Sequence, residues 1–361
     1  MCLNIFMLKK LGIPLQSKKN QLEMKPKMKQ YRCTEAPIQI HGLYKPYLPK
    51  RFWRLPEELF PLVNEGVASR ARSPVGGRVR FRTDSPKVTV RTLLRTNDVD
   101  WAIPLTGSAG SEVYIGSGRN IRYAGIVAPR SYEERTASLT FEKERRLEDI
   151  TIYLPRNVEL EDVLIELEDD AVLEAPRPYT IERPIVFYGS SITEGGCATR
   201  PANAYTALLG RWLDADTINL GFSGSAKGEP AMAEYIAGLE MSALVLDYDH
   251  NAPTVEHLEQ THEPFFRIIR EKQPALPILM LTKPDFDLHP EDAARRREVV
   301  RRTYEHARAT GDQNVWFIDG ETFFGREDRE ACTIEGCHPN DLGFMRMAQT
   351  ICPVLKEMLR A

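Results

Sequence analysis

Residues 185–196 read Ile185-Val-Phe-Tyr-Gly-Ser-Ser-Ile-Thr-Glu-Gly-Gly196, a short apolar run that ends in a Gly-Ser-Ser turn. A helical pattern follows over 203–213. A buried strand that passes through a tight turn into a helix is the repeating unit of parallel α/β sheets. We therefore predict that this stretch is the first strand of a parallel sheet.

The same alternation continues to the end of the chain. Strands are predicted at 185–188, 217–220, 243–248, 278–281 and 315–318, and helices at 203–213, 255–272, 291–308 and 341–359. Alternating strands and helices imply a parallel sheet with helices on both faces and with sites at the carboxyl ends of the strands. Residues 184–361 are expected to form this α/β domain.

The first half of the chain has a hydrophobic period of two. Between about residues 78 and 160, apolar positions alternate with charged ones, and Gly, Ser, Pro and Asn separate the runs. This alternation is typical of half-buried strands joined by tight turns. We expect an all-β sandwich over residues 31–175, followed by a linker over residues 176–183.

Residues 1–30 are rich in lysine and show no hydrophobic period. We interpret them as a disordered leader or as the result of a start codon assigned too early, with Met28 as an alternative start. The apolar stretch at 3–8 has no basic residue before it and no cleavage site after it, which argues against a secretion signal. Six irregularly spaced cysteines favour reduced thiols. A cytoplasmic protein is expected.

Composition excludes several classes of protein. The chain is 42% hydrophobic and 27% charged, as in ordinary globular proteins. No apolar run approaches the roughly 18 residues of a membrane span. A net charge of -3 gives no reason to expect nucleic acid as a partner. Since 361 residues exceed what one hydrophobic core usually organises, two domains are expected.

Four features follow the predicted sheet elements in order: Ser191, the glycine-containing turn at 219–225, Asn251 and His338. A serine at a strand-to-helix turn exposes its hydroxyl near backbone N–H groups that can bind an oxyanion. A histidine needs a partner on its far ring nitrogen, which Glu335 in the same loop can supply. Each feature alone is equally typical of a turn or a helix cap. Their joint occurrence, in one order after consecutive sheet elements, is improbable by chance.

At these residues the sequence resembles the SGNH hydrolases, whose motif blocks supply Ser, Gly, Asn and His in that order, and the resemblance spans residues 184–361. It implies a flavodoxin-like fold and ester hydrolysis without a cofactor. It also implies that Ser191 is the nucleophile and His338 the general base. The implied oxyanion donors are the Ser191 and Gly224 N–H groups and the Asn251 side chain.

The sequence is most similar to the GDSL-like lipase/acylhydrolase subgroup with an N-terminal GxDLY domain, whose signature appears here as Gly110-Ser-Glu-Val-Tyr114. Three motif positions differ from the family pattern. The usual Asp after the first glycine is Ser190, the third block reads Asp249-His-Asn-Ala252, and the Asp of the Asp-x-x-His block is Glu335. The longer Glu side chain shifts the carboxylate by about one bond length. Asp319, which ends the last strand, therefore stays open as the alternative acid.

Other constellations do not predict a metal site. His257 and His262 are five residues apart on one predicted helix and so lie on different faces, where surface positions are expected. Cys332, Cys337 and His338 have no second cluster that completes four ligands. Neither a metal nor a cofactor is expected.

We expect turnover of a small-molecule or oligosaccharide ester with a short acyl group. A sandwich joined to an SGNH domain resembles the layout of carbohydrate deacetylases, so an acylated carbohydrate is the leading substrate class by analogy. The loop at 321–330 is charged, and only Phe323 and Phe324 could line an apolar groove, unless they pack under their own loop. Two alternatives stay open. One is a lipase or lysophospholipase, and the other is a catalytically silent carbohydrate-binding module. The presence of Glu335 in place of the usual Asp supports the second alternative.

Overall fold

The computed structural model describes residues 26–44, 52–98 and 100–360. Residues 1–25 of the predicted leader lie outside the described residues. From Met28 onward the chain is part of a strand, because Met28–Arg32 pairs with Leu164–Glu168. The last three residues assigned to the leader therefore belong to the β-rich half.

In the described part of the chain the strands are β1 (Met28–Arg32), β2 (Gln39–His41), β3 (Arg78–Thr83), β4 (Lys87–Leu94), β5 (Ser111–Ile115), β6 (Arg122–Val127), β7 (Thr136–Glu142), β8 (Glu148–Tyr153), β9 (Leu160–Glu168), β10 (Leu173–Glu174), β11 (Ile181–Gly189), β12 (Ala215–Gly221), β13 (Ala243–Asp247), β14 (Ile278–Leu281) and β15 (Val315–Ile318). The α-helices there are α1 (Glu65–Arg70), α2 (Leu105–Ser108), α3 (Ser191–Glu194), α4 (Tyr205–Leu213), α5 (Pro230–Ala237), α6 (Val255–Lys272), α7 (Pro290–Ala309) and α8 (Asp341–Met358).

The N-terminal half is a sandwich of two antiparallel sheets. One sheet has the order β1-β9-β4-β7, and the other has the order β10-β3-β8-β5-β6 with β2 paired to β3. Val88 and Val90 of β4 share one buried core with Val79 and Phe81 of β3. The predicted all-β sandwich is therefore confirmed. The expected linker is partly strand, since β11 begins at residue 181.

The C-terminal half is a five-stranded parallel sheet with the order β12-β11-β13-β14-β15. This is the flavodoxin-like order, in which the chain reverses its direction of winding after the second strand. Alternate residues of β11 face opposite sides: Val186 and Tyr188 lie in one core, and Ile185 and Phe187 lie in the other. Helices α5, α6 and α7 cover the first core, and α4 and α8 cover the second. The predicted fold class is confirmed.

The β2–β3 connection, described over residues 42–44 and 52–77, reaches both cores: Leu43 and Phe52 pack in the sandwich, and most of the later apolar side chains pack on the α/β half. Its Leu55, Val67 and Ala71 are fully buried, and they belong to the same hydrophobic core as Tyr188 and Phe222. Burying such side chains contributes about 1.5–3 kcal/mol for each large one. The core of the α/β half is therefore completed by residues from the N-terminal half.

Candidate active site

Ser191 lies at the carboxyl end of β11, in the turn that leads into α3. The preceding Ser190 caps this helix, because its Oγ accepts the N–H of Ile192 at 3.1 Å. Position 189 accepts only glycine: a Cβ there would lie 2.1 Å from Thr193 Oγ1 and 2.3 Å from the Asp247 carbonyl oxygen. The turn is thus pressed against β13, and Ser191 is held at the edge of the sheet.

Three side chains form one hydrogen-bonded row at this edge. Ser191 Oγ and His338 Nε2 are 2.9 Å apart. His338 Nδ1 lies 2.6 Å from Glu335 Oε1, which also accepts the backbone N–H of His338 at 2.9 Å. The second bond folds the loop around the carboxylate, so that the longer Glu side chain still reaches the ring. The structure therefore brings together Ser191, His338 and Glu335, as the sequence predicts.

Asp319, the alternative acid, is engaged elsewhere. Its carboxylate lies 2.9 Å from Nη1 of Arg297 and accepts the N–H of Glu321 at 3.1 Å. Both partners belong to the side of the domain where α7 packs beside β15. The structure places Glu335, rather than Asp319, on the imidazole ring.

The turn after β12 carries Gly224, and Asn251 contacts this turn from the loop after β13. We call residues 222–225 the oxyanion turn, after its predicted role. It is closed by the Ser225 N–H, which donates to the Phe222 carbonyl oxygen at 2.9 Å. Gly224 has a φ of +67°, a conformation that favours glycine, and the space where a Cβ would point is open. Asn251 Nδ2 donates to the same Phe222 oxygen at 2.9 Å, which leaves its second amide hydrogen for another acceptor.

A buried carboxylate beneath the nucleophile escaped the sequence analysis. Asp247 Oδ2 accepts hydrogen bonds from Thr193 Oγ1 and from the Tyr205 hydroxyl, both at 2.8 Å. Burial, reinforced by the negative charge of Asp249, raises the pKa of Asp247 to about 7. The available signal was an acidic residue at the end of an otherwise apolar run, in a position where parallel strands present their site residues.

Two groups of described residues bring potential metal ligands within 4.8 Å of one another: Cys197, Glu335 and His338 in one, and His250, Asp285 and Cys337 in the other. The first group contains two residues of the hydrogen-bonded row. In the second, Lys283 Nζ lies 3.3 Å from Asp285 and already balances its charge. Burial also raises the pKa of the Cys337 thiol, which disfavours the thiolate that a metal needs. Neither donor set favours a metal ion.

The two histidines of α6 differ in their surroundings. His257 Nε2 lies 2.9 Å from the Lys227 carbonyl oxygen, at the edge of the helix. His262 is buried, with Nδ1 2.9 Å from Thr303 Oγ1 and its ring stacked on Tyr248. Burial lowers the pKa of His262 to about 4. The surface position expected for His262 is therefore wrong, because the helix packs that face against α7.

A cavity of about 520 Å³ opens beside Glu335. Its wall includes Asp285, Leu288, Phe324, Arg329, Ile334 and Glu335. Phe323 and Phe324 are almost fully buried and share a core with Phe344, so they pack under their own loop. The cavity therefore has a charged rim with apolar patches rather than a continuous apolar wall.

Comparison with known families covers both halves of the chain. Residues 182–356 match the GDSL-like Lipase/Acylhydrolase family, and residues 28–173 match the N-terminus of Esterase_SGNH_hydro-type. A comparison with curated protein sequences finds no match. Among the described residues, no helix is both long and apolar enough to cross a membrane.

Several solved structures are similar over nearly the whole chain. A protein described as a GDSL-like lipase from Bacteroides ovatus is 26% identical with a TM-score of 0.82, over 92% of this chain and 98% of the other. A salicylyl-acyltransferase from a tetracycline biosynthetic pathway is 24% identical with a TM-score of 0.76, over 92% and 97%. An acetyl xylan esterase of Butyrivibrio proteoclasticus is 14% identical with a TM-score of 0.57, over 92% and 98%. The last two show a shared fold.

Proposed function

The chain belongs to the SGNH/GDSL-like hydrolase family, and from this premise we propose that it hydrolyses short-chain acyl esters, with acetylated carbohydrates as the substrate class. One observation carries the proposal. Ser191 Oγ lies 2.9 Å from His338 Nε2, and the far side of the same ring lies 2.6 Å from Glu335. A hydroxyl in hydrogen-bond contact with an oriented imidazole is an activated nucleophile.

The reaction proceeds in two halves. His338 Nε2 takes the proton of Ser191 as Oγ attacks the ester carbonyl carbon, and Glu335 stabilises the resulting imidazolium. The bond between the carbonyl carbon and the alcohol oxygen then breaks, and the alcohol leaves with the proton from His338. A water molecule next attacks acyl-Ser191 and gives its proton to His338. The carboxylic acid departs, and the Ser191 hydroxyl regains its proton.

Negative charge develops on the carbonyl oxygen of the ester in both halves of the reaction. We assign its stabilisation to the N–H groups of Ser191 and Gly224 and to the free amide hydrogen of Asn251. The assignment of Gly224 is supported by the open space around the position where a Cβ would lie. Donors of this kind, fixed before the reaction begins, contribute several kcal/mol to transition-state stabilisation.

The substrate class rests on the rim of the site. The cavity beside Glu335 is bordered by Asp287, Arg329 and Glu330, whose charged groups suit the hydroxyls of a sugar better than a lipid chain. Proteins of the same fold include the acetyl xylan esterase and a family two carbohydrate esterase from Clostridium thermocellum in complex with cellohexaose. The lipase alternative would require a longer apolar groove than this wall offers.

A fluorophosphonate probe tests the proposal, because it labels only an activated serine. We expect labelling of the unmodified chain and none of Ser191→Ala. Purified protein is then offered a panel of acetylated mono- and oligosaccharides, and released acetate is measured. Labelling without release of acetate from any sugar would contradict the substrate class, and absence of labelling would favour a silent binding module.

We also propose a cytoplasmic location. Cys33, Cys197, Cys332, Cys337 and Cys352 are all free thiols, and four of them are buried. Free cysteines in this number are typical of a reducing compartment. Fractionation of the native host, with detection of the chain by antibody, tests the location.

A further inference from the structure

We propose that Glu194 is a positioning residue, which holds the oxyanion turn in its working geometry and is itself held by arginines of the N-terminal half. No motif in the sequence predicts a role for Glu194. The inference rests on the proposed esterase activity, because it concerns how the oxyanion donors of that activity are fixed.

Glu194 joins the helix of the nucleophile to the oxyanion turn. It ends α3, the helix that Ser191 begins, and its side chain is fully buried. Its Oε2 accepts the N–H of Ser223 at 2.7 Å. Ser191 is therefore connected to the oxyanion turn by one short helix and one hydrogen bond. This bond is charge-assisted, and such bonds are stronger than hydrogen bonds between neutral groups.

The peptide group between Phe222 and Ser223 is held at both of its polar atoms. Its N–H donates to Glu194, and its C=O accepts from Asn251 Nδ2 at 2.9 Å. A peptide group is planar, so fixing both atoms fixes its orientation. This orientation in turn sets the direction in which the chain enters Gly224, whose N–H we assign to the oxyanion.

A buried carboxylate needs balancing charge, and here the N-terminal half supplies it. Arg156 Nη2 lies 3.9 Å from Glu194 Oε2, and Arg70 Nη1 lies 3.7 Å from Oε1. These distances exceed normal hydrogen bonds, so the two guanidinium groups act on Glu194 through charge. The β-sandwich and the β2–β3 connection each contribute one of the two, since Arg156 follows β8 and Arg70 ends α1.

A third arginine fixes the strand that leads into the oxyanion turn. Arg54, in the β2–β3 connection, is buried and donates to the carbonyl oxygens of Asn219 at 3.2 Å and Gly221 at 2.5 Å. Its guanidinium also lies 4.6 Å from the centre of the Phe222 ring. Glu194 thus holds the turn, and Arg54 holds the end of the strand that leads into it.

Two substitutions separate the hydrogen bond from the charge. Glu194→Asp keeps the charge near the arginines but shortens the reach to the Ser223 N–H by one methylene. Glu194→Gln keeps the reach and an acceptor oxygen but removes the charge. If Glu194 positions the turn, kcat falls further in the Asp variant, whereas thermal stability falls further in the Gln variant.

Glu112 provides a matched control. It is equally buried, its Oε2 accepts the Ala202 N–H at 2.9 Å, and its Oε1 lies 3.2 Å from Arg200 Nη1. These bonds end on a loop away from the oxyanion turn. Glu112→Asp is therefore expected to lose stability without a matching loss of kcat.

The experiment measures kcat and KM for p-nitrophenyl acetate, the inhibition constant of phenylboronic acid, and the melting temperature of each variant. In Glu194→Asp we expect kcat to fall by about 10- to 10³-fold, up to the full effect of losing one oxyanion donor, with KM nearly unchanged. Phenylboronic acid binds as a tetrahedral adduct of the serine, so its affinity should fall in parallel with kcat.

The possible failures are distinct. If Ser191→Ala keeps the wild-type rate, the proposed function is wrong. If Ser191→Ala is inactive but kcat of the Glu194 variants follows their melting temperatures, as in Glu112→Asp, only the positioning role is wrong. Should one Glu194 variant fail to fold, the other is compared with Glu112→Asp: the Gln variant must keep boronate affinity, and the Asp variant must lose it.

Discussion

Ser190 and Ser191 are neighbours in the chain, yet their hydroxyls bond in different directions. Ser190 Oγ points into the turn and accepts the Ile192 N–H at 3.1 Å, whereas Ser191 Oγ lies 2.9 Å from His338 Nε2. The Ser190 hydroxyl caps α3, and α3 in turn positions the hydroxyl of Ser191. Substitution of the two serines should therefore separate structure from chemistry.

Ser191→Ala is expected to abolish nearly all turnover of p-nitrophenyl acetate, because no other hydroxyl replaces the nucleophile. Ser190→Ala removes only a helix cap, a loss of about 1 kcal/mol in stability, and should keep substantial rate. The two rates are measured below the melting temperature of both variants. Equal rates would show that the nucleophile is misassigned.

Glu335→Gln is expected to lower kcat by roughly 10- to 10⁴-fold with little change in KM, since the carboxylate stabilises the imidazolium only after His338 has taken its proton. Asp319→Asn serves as the control. Its partner is Arg297, so kcat should stay near the wild-type value. A full rate in Glu335→Gln would remove this residue from the mechanism.

Asp247 should make stability depend on pH in an unusual direction. Burial and the charge of Asp249 raise its pKa from 3.8 to about 7. Between these pH values the native state holds a proton that the unfolded state has released, so the free energy of unfolding falls as pH rises. Above about pH 7 Asp247 is ionised in both states, and the loss of unfolding free energy is complete.

In Asp247→Asn this titration is absent. The stability of the variant relative to the wild type should therefore rise by up to about 4 kcal/mol between pH 4 and pH 8, the equivalent of about three pKa units. Urea unfolding of both proteins at several pH values in this range measures the difference. Parallel curves for the two proteins would show that Asp247 is ionised in the native state.

Acetyl esters should be turned over far better than esters of eight carbons or more. Each buried methylene contributes about 0.8 kcal/mol, but only where an apolar groove receives it. Phe323 and Phe324 pack into a core instead of forming such a groove. The measurement is kcat/KM for p-nitrophenyl acetate, butyrate and octanoate, beside an acetylated sugar. Values that rise from acetate to octanoate would favour a lipase.

A truncated chain beginning near Arg183 is expected to be poorly soluble. It lacks Leu55, Val67 and Ala71, so that the core around Tyr188 and Phe222 would open to water. A chain beginning at residue 26 keeps these residues and serves as the control. A soluble 183–361 fragment with full activity would contradict the expectation.

The strands of the α/β half were well predicted because their signal is local. The predicted bounds of β14 and β15 agree with the structure, since β14 is an apolar run between Pro277 and Thr282 and β15 is one between Asn314 and Asp319. The short helix α5 was not bounded by the sequence analysis, because eight residues hold too few turns to show a period.

Contacts between segments that are distant in the chain produce no local pattern in the sequence from which they could be predicted. The order of Ser191, Gly224, Asn251 and His338 along the chain was informative only through its resemblance to a family pattern. Nothing near Glu194 in the sequence indicates Ser223 or Arg156 as its neighbours. Likewise, the apolar period of a segment shows that it is buried, but it does not show which of two cores buries it.

The packing of the β2–β3 connection also orders events during synthesis. Ala71 and Phe222 share one core, but the ribosome makes Ala71 first. At about 5–20 residues per second, the interval before Phe222 emerges is on the order of ten seconds. During that time Leu55 and Val67 lack their partners from the α/β half, and the apolar surface they leave uncovered is open to chaperones. The N-terminal half is thus complete only after the C-terminal half has been translated, so that folding of this region follows synthesis instead of accompanying it.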